Sequence, residues 1–266
     1  MRVGVLQLNA QSSLEANFKQ IETCLAQVKS RELDYILLPE NFSFMGNENE
    51  KRRLGSAIES TTLSFLQNLA NRLESTITGG GFPVLKNAQH FANTAMTLNA
   101  SGQIIHRYEK IHLFDANPGD AFQYRESSST INGDTKLTLF KLPPWNIGVS
   151  ICYDIRFPEL YRRYSKLGAH ILTNSAAFTE VTGKAHWEVL LRARAIENTC
   201  YVLASAQTGN HYEGRKTFGH SMIISPWGDI LAKNPDEVGL ITHEINLDLL
   251  MEVRNRLPSL NHRRLD

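Results

Sequence analysis

Three side chains with complementary hydrolytic chemistry occur at intervals along the chain: Glu40, Lys110 and Cys152. A cysteine attacks a carbonyl carbon as its thiolate, and only a small fraction of an ordinary thiol is ionised at neutral pH. A carboxylate that accepts the thiol proton, or a cation that stabilises the thiolate, would therefore activate Cys152. The ammonium of Lys110 is unfit as a base at neutral pH and is better suited to stabilising a developing oxyanion.

Each of the three residues also has a simpler interpretation when it is taken alone. A cysteine after an apolar run is most often a small core residue, and a lysine or glutamate at a strand end usually lies at the surface. Spacing in the sequence does not show that the three converge. Convergence is favoured because the ends of neighbouring strands are where an α/β sheet places ligands and catalytic groups.

Buried strands lead into Glu40 and Cys152. Residues 35–40 form an apolar run that Pro39 must end, because proline has no N–H to donate to the sheet. Residues 145–152 form a second, mostly apolar run that ends at the cysteine. We therefore expect both side chains at the carboxyl ends of strands.

A hairpin is predicted to position Lys110. Residues 94–99 and 103–108 alternate like strands around Gly102, which suits the positive φ of the turn. The polar stretch 111–136 follows, and a connection of that length in a compact domain usually has a function. We expect this loop to cover the site.

The remaining pattern alternates between amphipathic helices and buried strands, without a linker that would divide it. Such a rhythm indicates an α/β sandwich in which helices cover mixed sheets. The first helix begins behind a predicted capping box at residues 12–15, and three glycines within the strand 76–82 suggest that another backbone or a ligand comes close. The predicted elements are helices over 14–31, 60–73 and 185–199, strands over 3–9, 76–82, 170–175, 201–206 and 240–245, and a hairpin of 221–224 with 230–233.

The composition is that of one ordinary globular domain. The chain has 266 residues, of which 42% are hydrophobic and 21% are charged. A single α/β core can run to roughly 250 residues, so we expect one domain over residues 1–266. The formal net charge of +1 offers no broad positive field for a phosphate backbone, and nucleic acid is not an expected partner.

The cysteines and the apolar runs bound the setting of the protein. Cys24, Cys152 and Cys200 form no CxxC pair, which argues against a disulfide framework, a zinc site or any other metal site. Residues 3–9 alternate like a strand and not like a signal peptide. No apolar run approaches the roughly 18 residues of a membrane span. We expect a cytoplasmic protein without membrane contact.

The sequence resembles the nitrilase superfamily of carbon–nitrogen hydrolases over nearly its whole length. The resemblance rests first on three segments in the order and at the approximate spacing of that superfamily. These are Leu38-Pro39-Glu40, Tyr108-Glu109-Lys110-Ile111-His112-Leu113-Phe114-Asp115 and Cys152-Tyr153-Asp154-Ile155-Arg156-Phe157-Pro158-Glu159. Later blocks in register include Ala185-His186-Trp187-Glu188, Arg192-Ala193-Arg194-Ala195-Ile196-Glu197 and Gly219-His220-Ser221-Met222.

The resemblance implies a fold, a set of catalytic residues and an assembly. It implies a four-layer α/β/β/α sandwich in a single domain, a homodimer or higher homo-oligomer, and no cofactor. Catalysis would fall to Glu40, Lys110 and Cys152, with the backbone N–H of Tyr153 as a second oxyanion donor beside the lysine. A further carboxylate after the lysine recurs in the superfamily, and Glu126 matches its location. Judged from the residue alone, a solvated loop glutamate is an equally good interpretation of Glu126.

Within the superfamily, the chain is most similar to the deaminated glutathione amidases. That branch cleaves glutathione in which a keto group has replaced the γ-glutamyl amine, and it releases 2-oxoglutarate and cysteinylglycine. The resemblance includes residues 156–160, 181–191 and 206–209. The competing interpretation is an ω-amidase that acts on a short 2-oxo dicarboxylate monoamide, whose pattern lacks the proline found here as Pro158.

Both small-molecule amide substrates carry carboxylates that need cationic or N–H partners. Phe178 and Thr182 are predicted pocket walls by position. No histidine here has metal-ligand spacing, so the histidines are expected to act mainly through hydrogen bonds, with His186 also a candidate pocket contact. The candidate carboxylate partners are Arg125, Lys184 and Arg215.

A non-catalytic scaffold with the same fold is the alternative from another class of protein. The presence of all three of Glu40, Lys110 and Cys152 argues against it. A reactive Cys152 thiol with a low pKa is the expectation for the enzyme, and a sluggish thiol is the expectation for the scaffold.

Overall fold

The computed structural model describes residues 1–87, 89–120 and 122–265. Its strands are β1 (Arg2–Leu8), β2 (Tyr35–Leu37), β3 (Thr76–Leu85), β4 (Phe91–Leu98), β5 (Ile104–Glu109), β6 (Asp115–Ala116), β7 (Tyr124–Arg125), β8 (Phe140–Leu142), β9 (Trp145–Ile151), β10 (Ile171–Ala176), β11 (Tyr201–Asn210), β12 (Lys216–Phe218), β13 (Ser221–Ile224), β14 (Ile230–Asn234) and β15 (Gly239–Glu244). Its helices are α1 (Leu14–Cys24), α2 (Glu48–Leu73), α3 (Pro158–Lys166), α4 (Glu180–Thr182), α5 (Glu188–Asn198) and α6 (Leu247–Arg256).

The large strands form two mixed sheets that share one hydrogen-bonded corner. In the first sheet β1, β2 and β3 are parallel, with β15 antiparallel at one side and the β3–β4–β5 meander at the other. In the second, β9, β10 and β11 are parallel, with β8 antiparallel at one side and β13–β14 at the other. The end of β1 pairs with β11 where Gln7 lies opposite Ala206, and this contact joins the sheets.

The alternation of side chains along β1 shows the layers on the first sheet. Val3 and Val5 belong to the buried cluster that also contains the apolar side chains of β9 and β10. Leu6 and Leu8 point into a separate cluster with α1 and α2. Since successive strand residues face opposite sides of a sheet, the first sheet lies between the second sheet and these two helices.

The second sheet has the same arrangement in mirror order. Gly148 of β9 lies directly under Tyr164 of α3, where an added Cβ would be 2.7 Å from the ring. Its neighbours Ile147 and Val149 face the other way and join the cluster between the sheets. The four layers α/β/β/α expected from the resemblance are therefore present.

Helix α1 begins at the predicted residue, Leu14, but ends earlier than predicted. The predicted helix 14–31 ends at Cys24, and single turns follow in which the N–H of Val28 donates to the carbonyl of Leu25. These turns keep both side chains in the core, so the apolar spacing continues although the helix does not. The predicted capping box is wrong in register, because Ser13 is the N-cap and accepts from the N–H of Ala16.

Helix α2 begins at Glu48, twelve residues before the predicted start. Asn47 and Glu50 form a reciprocal capping box there, a signal that the sequence analysis missed. The predicted helix 185–199 begins earlier, at Glu180, and runs through a π-helical turn, Gly183–Trp187, into α5. Helix α6 was not predicted. No helix in the described ranges is long and apolar enough to cross a membrane.

Candidate active site

Cys152 lies at a strained turn between β9 and a 3-10 turn, Cys152–Arg156. Its φ of 46° is in the left-handed region, which costs a non-glycine residue on the order of 1–3 kcal/mol. Buried Asp154 holds the turn, because its carboxylate accepts from the N–H of Ile151 at 2.9 Å and from the Tyr108 hydroxyl at 2.7 Å. It also accepts from the backbone N–H of His112 at 3.1 Å. The site therefore uses a carboxylate, Asp154, whose only signal in the sequence was its place in the resemblance.

Glu40, Lys110 and Glu126 form one ion cluster beside Cys152. The Lys110 ammonium lies 3.0 Å from the Glu40 carboxylate and 2.8 Å from that of Glu126. The Cys152 thiol is a hydrogen-bond partner of Glu40. Lys110 is 2% exposed and Cys152 is 7% exposed, so these interactions occur away from bulk water. The structure thus brings together all four side chains singled out for catalysis from the sequence.

Asn93 on β4 links the two carboxylates and was missed by the sequence analysis. Its side-chain N–H donates to Glu40 at 2.9 Å and to Glu126 at 3.0 Å. Gly81 on β3 makes room for it, since an added Cβ would lie 2.0 Å from the Asn93 side-chain oxygen. An amide side chain in the strand Phe91–Leu98, whose other polar residues are threonines, was the available signal, because a buried polar side chain needs partners.

Backbone N–H groups complete the cluster. The N–H of Ala177, just after β10, donates to Glu40 at 2.9 Å and also contributes a hydrogen bond to Cys152. The N–H of Phe114 donates to Glu126 at 2.7 Å. Each carboxylate is therefore fixed by at least one backbone donor as well as by side chains.

The protonation states follow from burial and from the arrangement of charges. Burial raises the pKa of Glu40, but the Lys110 ammonium and the hydrogen bonds from Lys110, Cys152 and Asn93 together lower it, and the net shift is downward. Burial lowers the pKa of Lys110, whereas Glu126 and Glu40 raise it by more. Burial, and then the charge of Glu40, raise the pKa of Cys152 well above its usual range. The resting site is a carboxylate, an ammonium and a protonated thiol.

The raised pKa of Cys152 contradicts the expectation of a low-pKa thiol. Lys110 does lower the pKa of Cys152, but desolvation and the adjacent Glu40 outweigh it. Lys110 also pairs with two carboxylates, and their negative charges offset much of its positive electrostatic potential at the Cys152 sulfur. A raised thiol pKa is compatible with this catalytic arrangement, so slow reaction of the free thiol would not by itself distinguish a scaffold from the enzyme.

A cavity of about 300 Å³ opens beside the ion cluster. Besides the four catalytic candidates, the predicted residues Tyr153, Arg125, Phe178 and Thr182 line it. The loop predicted over 111–136 does cover the site, contributing Phe114 and the stretch around Glu126. Lining residues that the sequence analysis did not assign to the pocket are Asn41, Glu48, Lys51, Pro83, Phe91, Asn93, Gln123, Tyr124, Ser128, Thr130, Arg156, Ala177, Thr179 and Tyr212.

The basic and histidine candidates divide into two groups. Arg215 lines the cavity. Lys184 instead pairs with Glu180 on the surface, at 3.2 Å. The ring of His186 lies outside the lining and 3.3 Å from the guanidinium of Arg156, which does line it. Within the described residues, no group of three or more His, Cys, Asp or Glu side chains is arranged to hold a metal ion.

The fold and the site agree with the family comparison. The family model for carbon–nitrogen hydrolases matches residues 2–255. The chain therefore belongs to the carbon–nitrogen hydrolase family and is an enzyme of that class.

Individual relatives narrow the similarity. A deaminated glutathione amidase from Synechocystis is 48% identical over 263 residues, which cover 98% of this chain and 97% of that protein. The deaminated glutathione amidase of Homo sapiens is 36% identical, covering 99% and 82%. The nitrilase and fragile histidine triad fusion protein of Caenorhabditis elegans superposes with a TM-score of 0.93 at 36% identity, covering 99% of this chain and 65% of that chain. A nitrilase-superfamily member from Saccharomyces cerevisiae gives 0.85 at 29% identity, covering 97% and 94%. The predicted nitrilase-like sandwich is confirmed.

Proposed function

We propose that the protein hydrolyses the keto-acyl amide of deaminated glutathione through a thioester on Cys152, and that Glu40 and Lys110 complete the catalytic triad. The observation that carries the proposal is the ion cluster, in which one buried carboxylate contacts both the thiol and an ammonium. The name shared by the relatives supports the choice of substrate.

Proton transfer in the first half-reaction is coupled to bond formation. The Cys152 thiol has a raised pKa and Glu40 a lowered one, so thiolate does not accumulate before the substrate binds. Glu40 accepts the thiol proton as sulfur bonds to the amide carbon and negative charge moves to the carbonyl oxygen. The same carboxyl then donates its proton to the departing amine of cysteinylglycine, and the C–N bond breaks.

The second half-reaction uses the same carboxylate again. Glu40 removes a proton from water, and the resulting hydroxide attacks the thioester carbon. The C–S bond breaks, 2-oxoglutarate leaves, and the proton on Glu40 returns to sulfur. One carboxylate thus alternates between base and acid, which its buried position between Lys110 and Cys152 allows.

The oxyanion of each tetrahedral intermediate lies between Lys110 and the backbone N–H of Tyr153. Tyr153 is the second residue of the short 3-10 helix Cys152–Arg156, whose first backbone N–H groups have no acceptor within the helix. One oxyanion donor typically contributes about 3–4 kcal/mol to the barrier reduction. Glu126 and Asn93 keep the ammonium in position, so we assign Glu126 a positioning role.

The charge of the cavity matches a substrate with two carboxylates. Lys110 pairs with Glu40 and Glu126, and a second lysine, Lys51, pairs with Glu48. Within the described residues, none of the lining arginines has a carboxylate oxygen within 4.0 Å. Five cations and three carboxylates leave the lining with a net charge of +2. The cations are Lys51, Lys110, Arg125, Arg156 and Arg215, and the carboxylates are Glu40, Glu48 and Glu126.

Deaminated glutathione carries two carboxylates, and 2-oxoglutaramate, the ω-amidase substrate, carries one. The net charge of the lining favours the former, because the half-buried Arg156 and Arg215 have no carboxylate within 4.0 Å among the described residues and each can pair with one carboxylate of the ligand. The aromatic walls Phe178 and Tyr153 suit the apolar part of an extended ligand.

Replacement of the nucleophile tests the chemistry. Cys152→Ala should abolish turnover of deaminated glutathione and leave the thermal unfolding midpoint nearly unchanged, because one sulfur at a strand end is lost. The matched controls Cys24→Ala and Cys200→Ala should retain most activity. Substantial turnover by Cys152→Ala would overturn the triad, and loss of turnover in a folded Cys24 or Cys200 variant would identify another nucleophile.

We also propose that the chain forms a homodimer or a higher homo-oligomer. Val189 and Ile196 on α5 are 67% and 45% exposed. Gly228 packs against Ile196, and the neighbouring Trp227 is 50% exposed. Exposed apolar side chains grouped in this way are typical of a protein interface. A monomer mass in light scattering across micromolar concentrations would contradict this proposal.

A further inference from the structure

Arg215 is held rigidly at the wall of the cavity by the loop between β11 and β12. The N–H of His211 donates to the carbonyl of Arg215 at 2.8 Å, which closes the loop. The ring of buried His211 contacts the carbonyl of Ala10 at 2.8 Å and the hydroxyl of Thr217 at 2.6 Å, which fixes the base of the loop. The backbone that carries Arg215 is therefore tied to both sheets.

The guanidinium of Arg215 is incompletely satisfied by the protein. It donates to the carbonyl of Ala177 at 3.3 Å and to the side-chain hydroxyl of Tyr212, and it lies over the ring of Tyr124, 5.3 Å from the centroid. Among the described residues, no carboxylate lies within 4.0 Å of it, and its buried Nε has no acceptor. A buried donor without an acceptor costs about 1–3 kcal/mol.

The buried Arg194 shows how an arginine with a purely structural role is paired in this chain. Arg194 donates through Nε and one terminal nitrogen to the carbonyl of Ile155, and through the other to Glu197 at 2.9 Å. Both ends of that guanidinium are used, and its charge is paired. Arg215 is half-buried, its buried Nε lacks an acceptor, and among the described residues no carboxylate pairs with it, so anchoring of Ala177 does not account for its charge.

We propose that Arg215 is a specificity-determining residue that binds a carboxylate of the amide substrate, a role that rests on the proposed function. A guanidinium presents two parallel N–H donors that match a carboxylate, and the contact is stronger where water is excluded. Arg156 lies over Phe178 and Tyr153, 5.1 and 5.8 Å from the two ring centroids, in a different part of the lining. Arg215 and Arg156 can thus each pair with one of the two carboxylates of deaminated glutathione.

The test compares Arg215→Met and Arg215→Lys with the wild type on three substrates. These are deaminated glutathione, its C-terminal carboxamide and a neutral aliphatic amide. Relative to its effect on the neutral amide, Arg215→Met should lower kcat/KM for deaminated glutathione about 10- to 100-fold, the range of a lost charge-assisted hydrogen bond. Arg215→Lys should recover part of the loss. Arg163→Met, which removes an exposed arginine from α3, controls for charge at a distance.

The carboxamide identifies which carboxylate is bound. If Arg215 binds the glycyl carboxylate, the loss should nearly vanish for the carboxamide; if it binds the 2-oxo acid carboxylate, the loss should be the same for both tripeptides. Equal losses on the tripeptides and the neutral amide would show that Arg215 only supports Ala177. That result would overturn the proposal.

Binding of the products separates this proposal from the proposed function. Calorimetric titration of Cys152→Ala with 2-oxoglutarate and with cysteinylglycine needs no turnover. In the double variant that combines Cys152→Ala with Arg215→Met, one product should bind about 10-fold or more weakly. Unchanged binding of both products would overturn the proposal that Arg215 binds a carboxylate. If the wild-type enzyme failed to cleave deaminated glutathione, the proposed function would fall while these titrations still reported on Arg215.

Discussion

At the scale of single residues, the site combines a thiol that holds its proton with a carboxylate that has lost one. Glu40 is buried, and its pKa is still lowered because Lys110 lies beside it, while burial and the charge of Glu40 raise the pKa of Cys152. A folded-state pKa below the usual carboxyl range keeps the general base ionised throughout neutral pH. Activity should therefore be lost on the acid side only as Glu40 becomes protonated.

Glu40→Gln should lower the rate of amide hydrolysis and raise the rate at which Cys152 is alkylated. Amide hydrolysis should fall about 100- to 10,000-fold, the usual contribution of a general acid–base group. Alkylation of Cys152 by iodoacetamide should become faster, because the substitution removes the negative charge that raises the thiol pKa and leaves Lys110 in place. Each unit by which that pKa falls multiplies the thiolate fraction about tenfold.

The measurement is the rate of Cys152 alkylation between pH 6 and 9, read by peptide mass spectrometry. Glu188→Gln, which removes an exposed carboxylate on α5, is the control. A Glu40→Gln variant whose thiol is no more reactive than that of the wild type would remove the charge argument.

At the scale of elements, the glycines of β3 let the strand pass against the loop that carries Glu40. A Cβ on Gly80 would lie 2.5 Å from the carbonyl oxygens of both Leu38 and Pro39. Gly80→Ala must therefore displace the backbone immediately before the general base. Overpacking of this kind typically costs about 1–3 kcal/mol of stability, and a displacement of about 1 Å at a reacting group can cost about 100-fold in rate.

Gly239→Ala on β15 is the matched control, since its Cβ would only touch the Asn234 side chain at 3.5 Å. We expect Gly80→Ala to lose activity while remaining folded at low temperature, as measured by kcat/KM and by circular dichroism. Wild-type kcat/KM in a folded Gly80→Ala protein would show that the Glu40 loop tolerates the shift.

The elements that position the site were predictable because their signals are local. Pro39 ends a strand, Gly102 makes a turn with a φ of 70°, and an apolar run leads to Cys152. The end of α1 was not predictable from apolar spacing, because single turns after Cys24 maintain the same spacing. The pairing of Asn93 with two carboxylates depends on strands that are distant in sequence, and only the folded sheet brings them together.

At the scale of the whole molecule, charge is distributed unevenly. The chain has a formal net charge of +1, whereas the cavity lining has +2. The positive potential is thus concentrated where the substrate binds, and the rest of the surface is nearly balanced. A ligand cation is consequently disfavoured inside the cavity much more than in solution, because charges interact more strongly where water is excluded.

Intact glutathione should be a far poorer substrate than deaminated glutathione for this reason. Its ammonium occupies the position of the neutral keto oxygen and would enter a lining with three arginines that, among the described residues, have no carboxylate oxygen within 4.0 Å. At an effective dielectric constant of about 20, like charges 4 Å apart repel by about 4 kcal/mol. Half of that repulsion energy corresponds to a roughly 30-fold difference in kcat/KM, so we expect kcat/KM for deaminated glutathione to exceed that for intact glutathione by at least this factor.

The pH dependence distinguishes repulsion from steric exclusion. The α-amino group of intact glutathione lies beside a free carboxylate, which raises its pKa above the roughly 8 of a peptide α-amino group, so raising the pH from 7 to about 10 progressively removes its positive charge. If repulsion governs the preference, the ratio of the two kcat/KM values should narrow over that range, with deaminated glutathione as the reference at each pH. A ratio that stays constant would point to shape instead of charge. Equal kcat/KM values for intact and deaminated glutathione at pH 7 would contradict the substrate assignment. A clear preference for 2-oxoglutaramate would instead assign the enzyme to the ω-amidases and leave the proposed chemistry of Cys152 unchanged.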